Sequence, residues 1–286
     1  MANLTGSSFA TFGYLALALF LAMSLNATNR FFRACGTLTA ALNLAMLAVS
    51  IFAADFDGTY QNMPPASSTL DAFKPLILNI QAVIATAASI FLFWAAGAQV
   101  KRRVVKESPL ANTASSFGLV SRYAHWIAAT LILCLVPMGL FVSVLQADSP
   151  DRAEYLAAHQ TLGLIVLAVV AIRLVWFLAS PPPEPSPSLT ELERLLSRAV
   201  HIGLYVLILA FPVSGILMSA SGEGVQFFGW PLLPPIPSGK HPPSLWASAH
   251  DLVLPLLFYA LIAAHIGAVL KHRFVDGRGD VHRMLT

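Results

Sequence analysis

The sequence predicts an all-α integral membrane protein of seven transmembrane helices, the last four of which form a histidine-bearing bundle. Three observations lead there. First, 57% of the 286 residues are apolar and only 11% are charged, with a mean hydropathy of +0.71. A water-soluble domain carries about a quarter of its residues as charges. Second, seven runs, near 9–28, 34–54, 76–98, 123–145, 156–178, 199–220 and 248–270, reach the roughly 20 apolar residues a span requires. Third, lysine and arginine alternate in density between successive loops. With the N-terminus outside, the inner loops and helix ends hold 14 of the 17 basic residues, and the outer ones hold only Lys74, Arg152 and Lys240. That bias puts the N-terminus in the periplasm and the C-terminus in the cytoplasm of a bacterial inner membrane. It also accounts for the basic balance with no nucleic acid as partner.

The elements follow in order. The first run lacks a basic leading region and is too long for a signal peptide, so it reads as a span. Residues 1–110 thus form a three-helix membrane segment containing no histidine. "KRRVVKESPLANTASSF" (101–117) is an inner linker, and residues 118–286 form the four-helix domain, which holds all eight histidines. Between its second and third spans lies "SPPPEPSPSLTELERLLSR", where Thr190 and Glu193 have capping-box spacing. The outer loop 221–247, rich in glycine, proline and aromatics, reads as an irregular interfacial cap, with Phe227, Phe228 and Trp230 at the bilayer surface. Cys35 and Cys134 read as packing residues. No CxxCH is present for covalent haem and no CxxC for thiol chemistry or zinc.

Four histidines sort by depth. His125 lies near the inner end of its span and His159 near the outer end of the next. His250 and His265 sit at the outer and inner ends of the last. Fifteen residues separate His250 from His265, roughly 22 Å of helix with about 60° of net rotation, so both can face one interior. The pairs are therefore His125 with His265 (inner) and His159 with His250 (outer), each from two helices. Two haems stacked across the membrane, each held by two imidazoles, need this arrangement, and filled axial positions suit electron transfer. Ionisable groups inside spans are costly and tend to be functional. A zinc or proton-relay site, as in a metal- or proton-linked transporter, would gather carboxylates at one depth. Only Asp251 is near.

Other residues surround the pairs. Arg173 lies 14 residues after His159, roughly 21 Å further inward, where it can meet haem propionates. His201 starts the sixth span at the depth of His125; it could replace either inner ligand, but reads rather as a propionate partner or a support behind a ligand. Gly163 and Gly215 leave room for a porphyrin face or a neighbouring helix. His272, seven residues beyond His265, lies roughly 10 Å nearer the cytoplasm, at a depth suited to a quinone carbonyl. His241 and His282 fall in loops and receive no role.

"SRYAHWIAA" (121–129), "HQTLGLIVLAVVAIRLVW" (159–176), "VHIGLYVLILAFPVSGILM" (200–218), "SAHDL" (248–252) and "AAHIGAVLKHRF" (263–274) together resemble the prokaryotic cytochrome b561 family of four-helix di-haem membrane proteins, which includes superoxide oxidase. The resemblance covers residues 118–286, about 60% of the chain. It implies two haem b groups on the pairs above and ubiquinone near His272. The donor it implies is superoxide on the outer side, or else a redox partner protein such as a dehydrogenase or periplasmic cytochrome. The leading three helices stand outside that pattern. So does the acidic outer side: against three basic residues it has Asp55, Asp57, Asp71, Asp148, Asp151, Glu154, Glu223 and Asp251. Steering of an anion there needs Arg152, Lys240 and His241 to converge.

Overall fold

A computed structural model describes residues 109–145, 150–185, 189–236, 245–277 and 282–285, with isolated positions between Ala18 and Trp94. Four long helices dominate: α1 (Leu119–Val144), α2 (Pro150–Ala179), α3 (Glu191–Ala220) and α4 (Leu245–Val275). A hairpin of β1 (Val225–Phe227) and β2 (Trp230–Leu233) joins α3 to α4, and a short α5 (His282–Leu285) follows. All four long helices are long and apolar enough to span a membrane. The other three predicted spans lie largely outside the described residues; the positions described within them are helical. The linker 101–108, Lys240 and His241 also lie outside them.

At 26 to 31 residues, the four helices rise about 39–46 Å, more than the roughly 30 Å of hydrocarbon. Their ends therefore stand in the headgroup region, which is why each outruns its apolar run. The start of α3 shows how. Thr190 Oγ1 accepts from the Glu193 amide at 3.2 Å, and a Glu193 carboxylate oxygen accepts from the Thr190 amide at 3.0 Å. This is the predicted capping box, and it starts the helix eight residues before the apolar run.

The helices pack in sequence, α1 on α2, α2 on α3 and α3 on α4, and the outer turn of α4 returns to α1. A single apolar cluster, including Leu131, Leu162, Val170, Leu207 and Phe258, fills the middle. Of the apolar window of α1, 61% is buried, against 17%, 17% and 22% for the others, so α1 is the enclosed member. Ala18 of the leading segment is fully buried in the same cluster. Trp94 meets Phe274 on α4 with ring centres 5.6 Å apart.

Two stretches of α4 depart from α geometry. Ala249–Val253 and Lys271–Val275 are π-helical turns, closed by Leu254 N–H to the Ala249 carbonyl and Asp276 N–H to the Lys271 carbonyl. Pro255 supplies a cause for the first, because a proline ring crowds the carbonyl four residues earlier and a widened turn makes room. His250 lies in the first π turn and His272 in the second.

Within the outer loop the described residues 221–236 include a hairpin, which prolines that argue only against helix leave open. Phe228 (φ 51°) and Gly229 (φ 78°) form a two-residue turn with both central residues left-handed, as a tight hairpin requires. Phenylalanine is costly there. Its amide is held by Thr161 Oγ1 at 2.9 Å. Gln160 adds three bonds: Nε2 donates to Ser219 Oγ (3.2 Å) and the Gly224 carbonyl (3.1 Å), and Oε1 accepts from the Gln226 amide (2.9 Å). The residues that follow His159 thus latch the hairpin to α2. Gln160→Leu is expected to free it: limited proteolysis within 221–236 should accelerate while helical content by circular dichroism stays unchanged. Equal proteolysis of the two proteins would show that Gln160 is not the latch.

Candidate functional site

Inner and outer are used below as the charge bias defines them. At the outer end, α2 and α4 bring His159 and His250 together with ring centres 6.0 Å apart and planes at 85°. Two imidazoles bonded at about 2 Å to opposite sides of one metal ion put their centres roughly 6 Å apart. Beside them opens a cleft that is apolar except for the two histidines, Gln160, Ser219 and Asp251. That lining suits a hydrophobic ligand.

Glycines make the approach possible. A Cβ on Gly139 of α1 would fall 2.6 Å from His159 Cε1, and one on Gly215 of α3 would fall 2.9 Å from His250 Cε1. Each ring therefore packs edge-on against a glycine of a neighbouring helix. Gly215 was singled out in the sequence, but its neighbour is the histidine itself. Gly139 was missed, since no spacing relates it to His159. Gly163 lines the cleft and a Cβ there meets no protein atom within 4 Å.

Hydrogen-bond accounting fixes the tautomer of His250. Its Nδ1 is 2.9 Å from Ser214 Oγ, whose own proton goes to the Phe211 carbonyl at 2.9 Å. Ser214 must therefore accept, so the His250 proton is on Nδ1 and Nε2 is left as the acceptor nitrogen. His159 Nδ1 is buried without a hydrogen-bond partner, alongside the Leu135 carbonyl.

At the inner end, His201 and His265 have ring centres 5.2 Å apart at 85°. His201 Nδ1 donates to the Ser197 carbonyl at 2.6 Å, which leaves its Nε2 as the acceptor or ligand nitrogen. His125 stands edge-on to Trp126 at 5.2 Å, within electrostatic range of Arg173, His265 and His201. Arg173 lies over the Tyr205 ring at 5.5 Å and donates to its hydroxyl at 3.4 Å. The structure thus gathers the four inner residues of the sequence analysis, and it sets His201 against His265, a contact depth alone could not give. His272 is further out, its Nδ1 donating to Asp276 Oδ2 at 2.7 Å. Glu193, His272 and Asp276 offer ligand atoms within 4.8 Å of one another, but the Lys271 ammonium already bridges the two carboxylates.

On the outer surface Arg152 is paired with Glu223 at 3.1 Å. Lys240 and His241, which an anionic donor would need to converge with it, lie outside the described residues.

Four membrane-length helices thus carry pairs of histidines at either end of an apolar core. The family model described as prokaryotic cytochrome b561 matches residues 116–286, well over half of the chain, and the protein belongs to that family. Cytochrome b561 homolog 2 of Escherichia coli (strain K12) is 31% identical over 175 residues, covering 61% of this chain and 93% of that protein. Cytochrome b561 homolog 1 of the same organism is 28% identical over 174 residues, covering 59% and 96%. No solved structure gives a significant match. Membership implies b-type haem binding, membrane electron transfer and a multi-pass place in a bacterial membrane.

The glycine contacts are testable. Gly215→Val, with no room 2.9 Å from His250, is expected to lower the haem-to-protein ratio measured by pyridine haemochrome. Gly163→Val should do so too without changing helical content, because its side chain fills only the cleft. Gly267→Ala, which meets nothing within 4 Å, is the control and should match the unsubstituted protein.

Proposed function

We propose that the protein carries electrons from a donor on the outer side to ubiquinone near the inner side through two b haems. His159 and His250 would hold the outer haem, and His125 and His265 the inner one. Arg173 and His201 would serve the inner propionates or steady a ligand, and His272 would meet the quinone. The observation that carries this reading is the His159–His250 pair, 6.0 Å apart beside an apolar cleft, in a chain of the cytochrome b561 family. The outer residues fit a haem in three respects: ring separation, glycine edges and a His250 tautomer that presents Nε2.

When bound, haem b would supply a one-electron carrier. The chain's own groups do the rest. Ser214 orients His250, the hairpin is latched to the outer part of α2, and Val225, 2% exposed, lines the cleft. We take residues 118–286 as the electron-carrying domain in the inner membrane. Residues 1–110 are then a separate three-helix segment leaning on it, with the N-terminus periplasmic and the C-terminus cytoplasmic.

The donor admits two readings. Superoxide:quinone oxidoreduction is the first. The Arg152–Glu223 pair favours the second, in which a separate dehydrogenase or periplasmic cytochrome delivers the electrons, because a neutralised arginine steers no anion.

His159→Ala and His250→Ala are each expected to lose one haem and spare the other, by pyridine haemochrome and reduced-minus-oxidised spectra; two haems retained would overturn the pairing. Superoxide-driven haem reduction that superoxide dismutase abolishes would establish the first donor. A rate indifferent to superoxide would leave the partner protein.

A further inference from the structure

The inner end of α4 closes on a network of ionic contacts. Asp276 Oδ2 accepts from His272 Nδ1 at 2.7 Å and from Lys271 Nζ at 3.0 Å. Lys271 Nζ also donates to Glu193 Oε1 at 2.7 Å, while Glu193 Oε2 accepts from Thr190 at the cap of α3. Asp276 follows His272 by four residues, and the second π turn ends there in the Asp276 N–H to Lys271 carbonyl bond. The two side chains are largely shielded, 19% exposed for His272 and 17% for Asp276. A carboxylate only accepts, so Nδ1 holds a proton and the ring exchanges protons with a ligand through Nε2.

We propose that Asp276 is the positioning residue for proton delivery by His272 to a quinone carbonyl, with Lys271 and Glu193 fixing the carboxylate. This rests on the quinone site proposed above. Reduction of a quinone to a quinol consumes two electrons, which the b-type electron transfer supplies, and two protons. His272 gives one: its Nε2–H bond breaks as the quinol O–H bond forms, and a proton from the inner aqueous phase restores it. The second proton comes from water of the same phase. Asp276 keeps its charge throughout, holding the ring in one orientation and opposing the charge of the imidazolium, as a buried aspartate does for a catalytic histidine elsewhere.

The test mixes pre-reduced, haem-loaded protein with a short-chain ubiquinone without oxygen and follows haem reoxidation. Asp276→Asn is expected to slow the limiting rate about 10–100-fold, the usual cost of losing such a partner. Half-saturating quinone and haem content should stay as in the parent. Asp276→Glu should recover most of the rate, and Asp276→Asn should add nothing to His272→Ala. Parental rates in Asp276→Asn, a further loss in the double variant, or haem loss in both Asp276 variants would each overturn the proposal. If His272→Ala itself reoxidises at the parental rate, the quinone site fails and this inference with it. A slow His272→Ala beside a parental Asp276→Asn sinks this inference alone.

Discussion

Inside a bilayer there is no water to satisfy a ring nitrogen, so an imidazole without a partner on the chain is costly. Three of the site's histidines answer that constraint, whereas His159 Nδ1 does not. His250 meets it with Ser214 and the Phe211 carbonyl, His201 with the Ser197 carbonyl one turn back, and His272 with Asp276. In all three the partner takes the Nδ1 proton, which leaves Nε2 directed elsewhere. Local backbone geometry thereby settles the chemistry of each ring before any cofactor is considered.

Packing is arranged to let those rings in. The helices sacrifice side chains at Gly139 and Gly215, and α4 gives up regular hydrogen bonding where it carries His250 and His272. Both are departures that a helix serving only as a membrane span would avoid. Glycine costs a helix roughly 0.5–1 kcal/mol against alanine, and its recurrence beside the outer histidines is explained by the rings that replace the missing methyl groups. The outer hairpin follows the same logic, since Gln160 and Thr161 fasten it from the residues directly after His159.

Much of this was legible in the chain. Apolar run lengths gave the four described spans, Thr190 and Glu193 gave the start of α3, and depth sorted the histidines into ends. Depth is one-dimensional, however, and rotation about each axis is set by packing. Hence Gly139 and the contact of His201 with His265 were invisible. Asp276 could have been noticed, because it lies four residues after His272 on a helix. The hairpin was hidden by its prolines, which argue against helix yet sit comfortably on a two-stranded edge. The π turns left one readable trace, Pro255, whose crowding of the preceding turn is a local effect.

The two π turns also divide α4 mechanically. Between them Leu254–Leu270 is regular and carries His265, while each turn holds one residue more than an α-helix would. Such a surplus works like a vernier: removing it at one end re-aims the terminal histidine there and leaves His265 where it is. The helix can therefore be adjusted at either surface of the membrane independently.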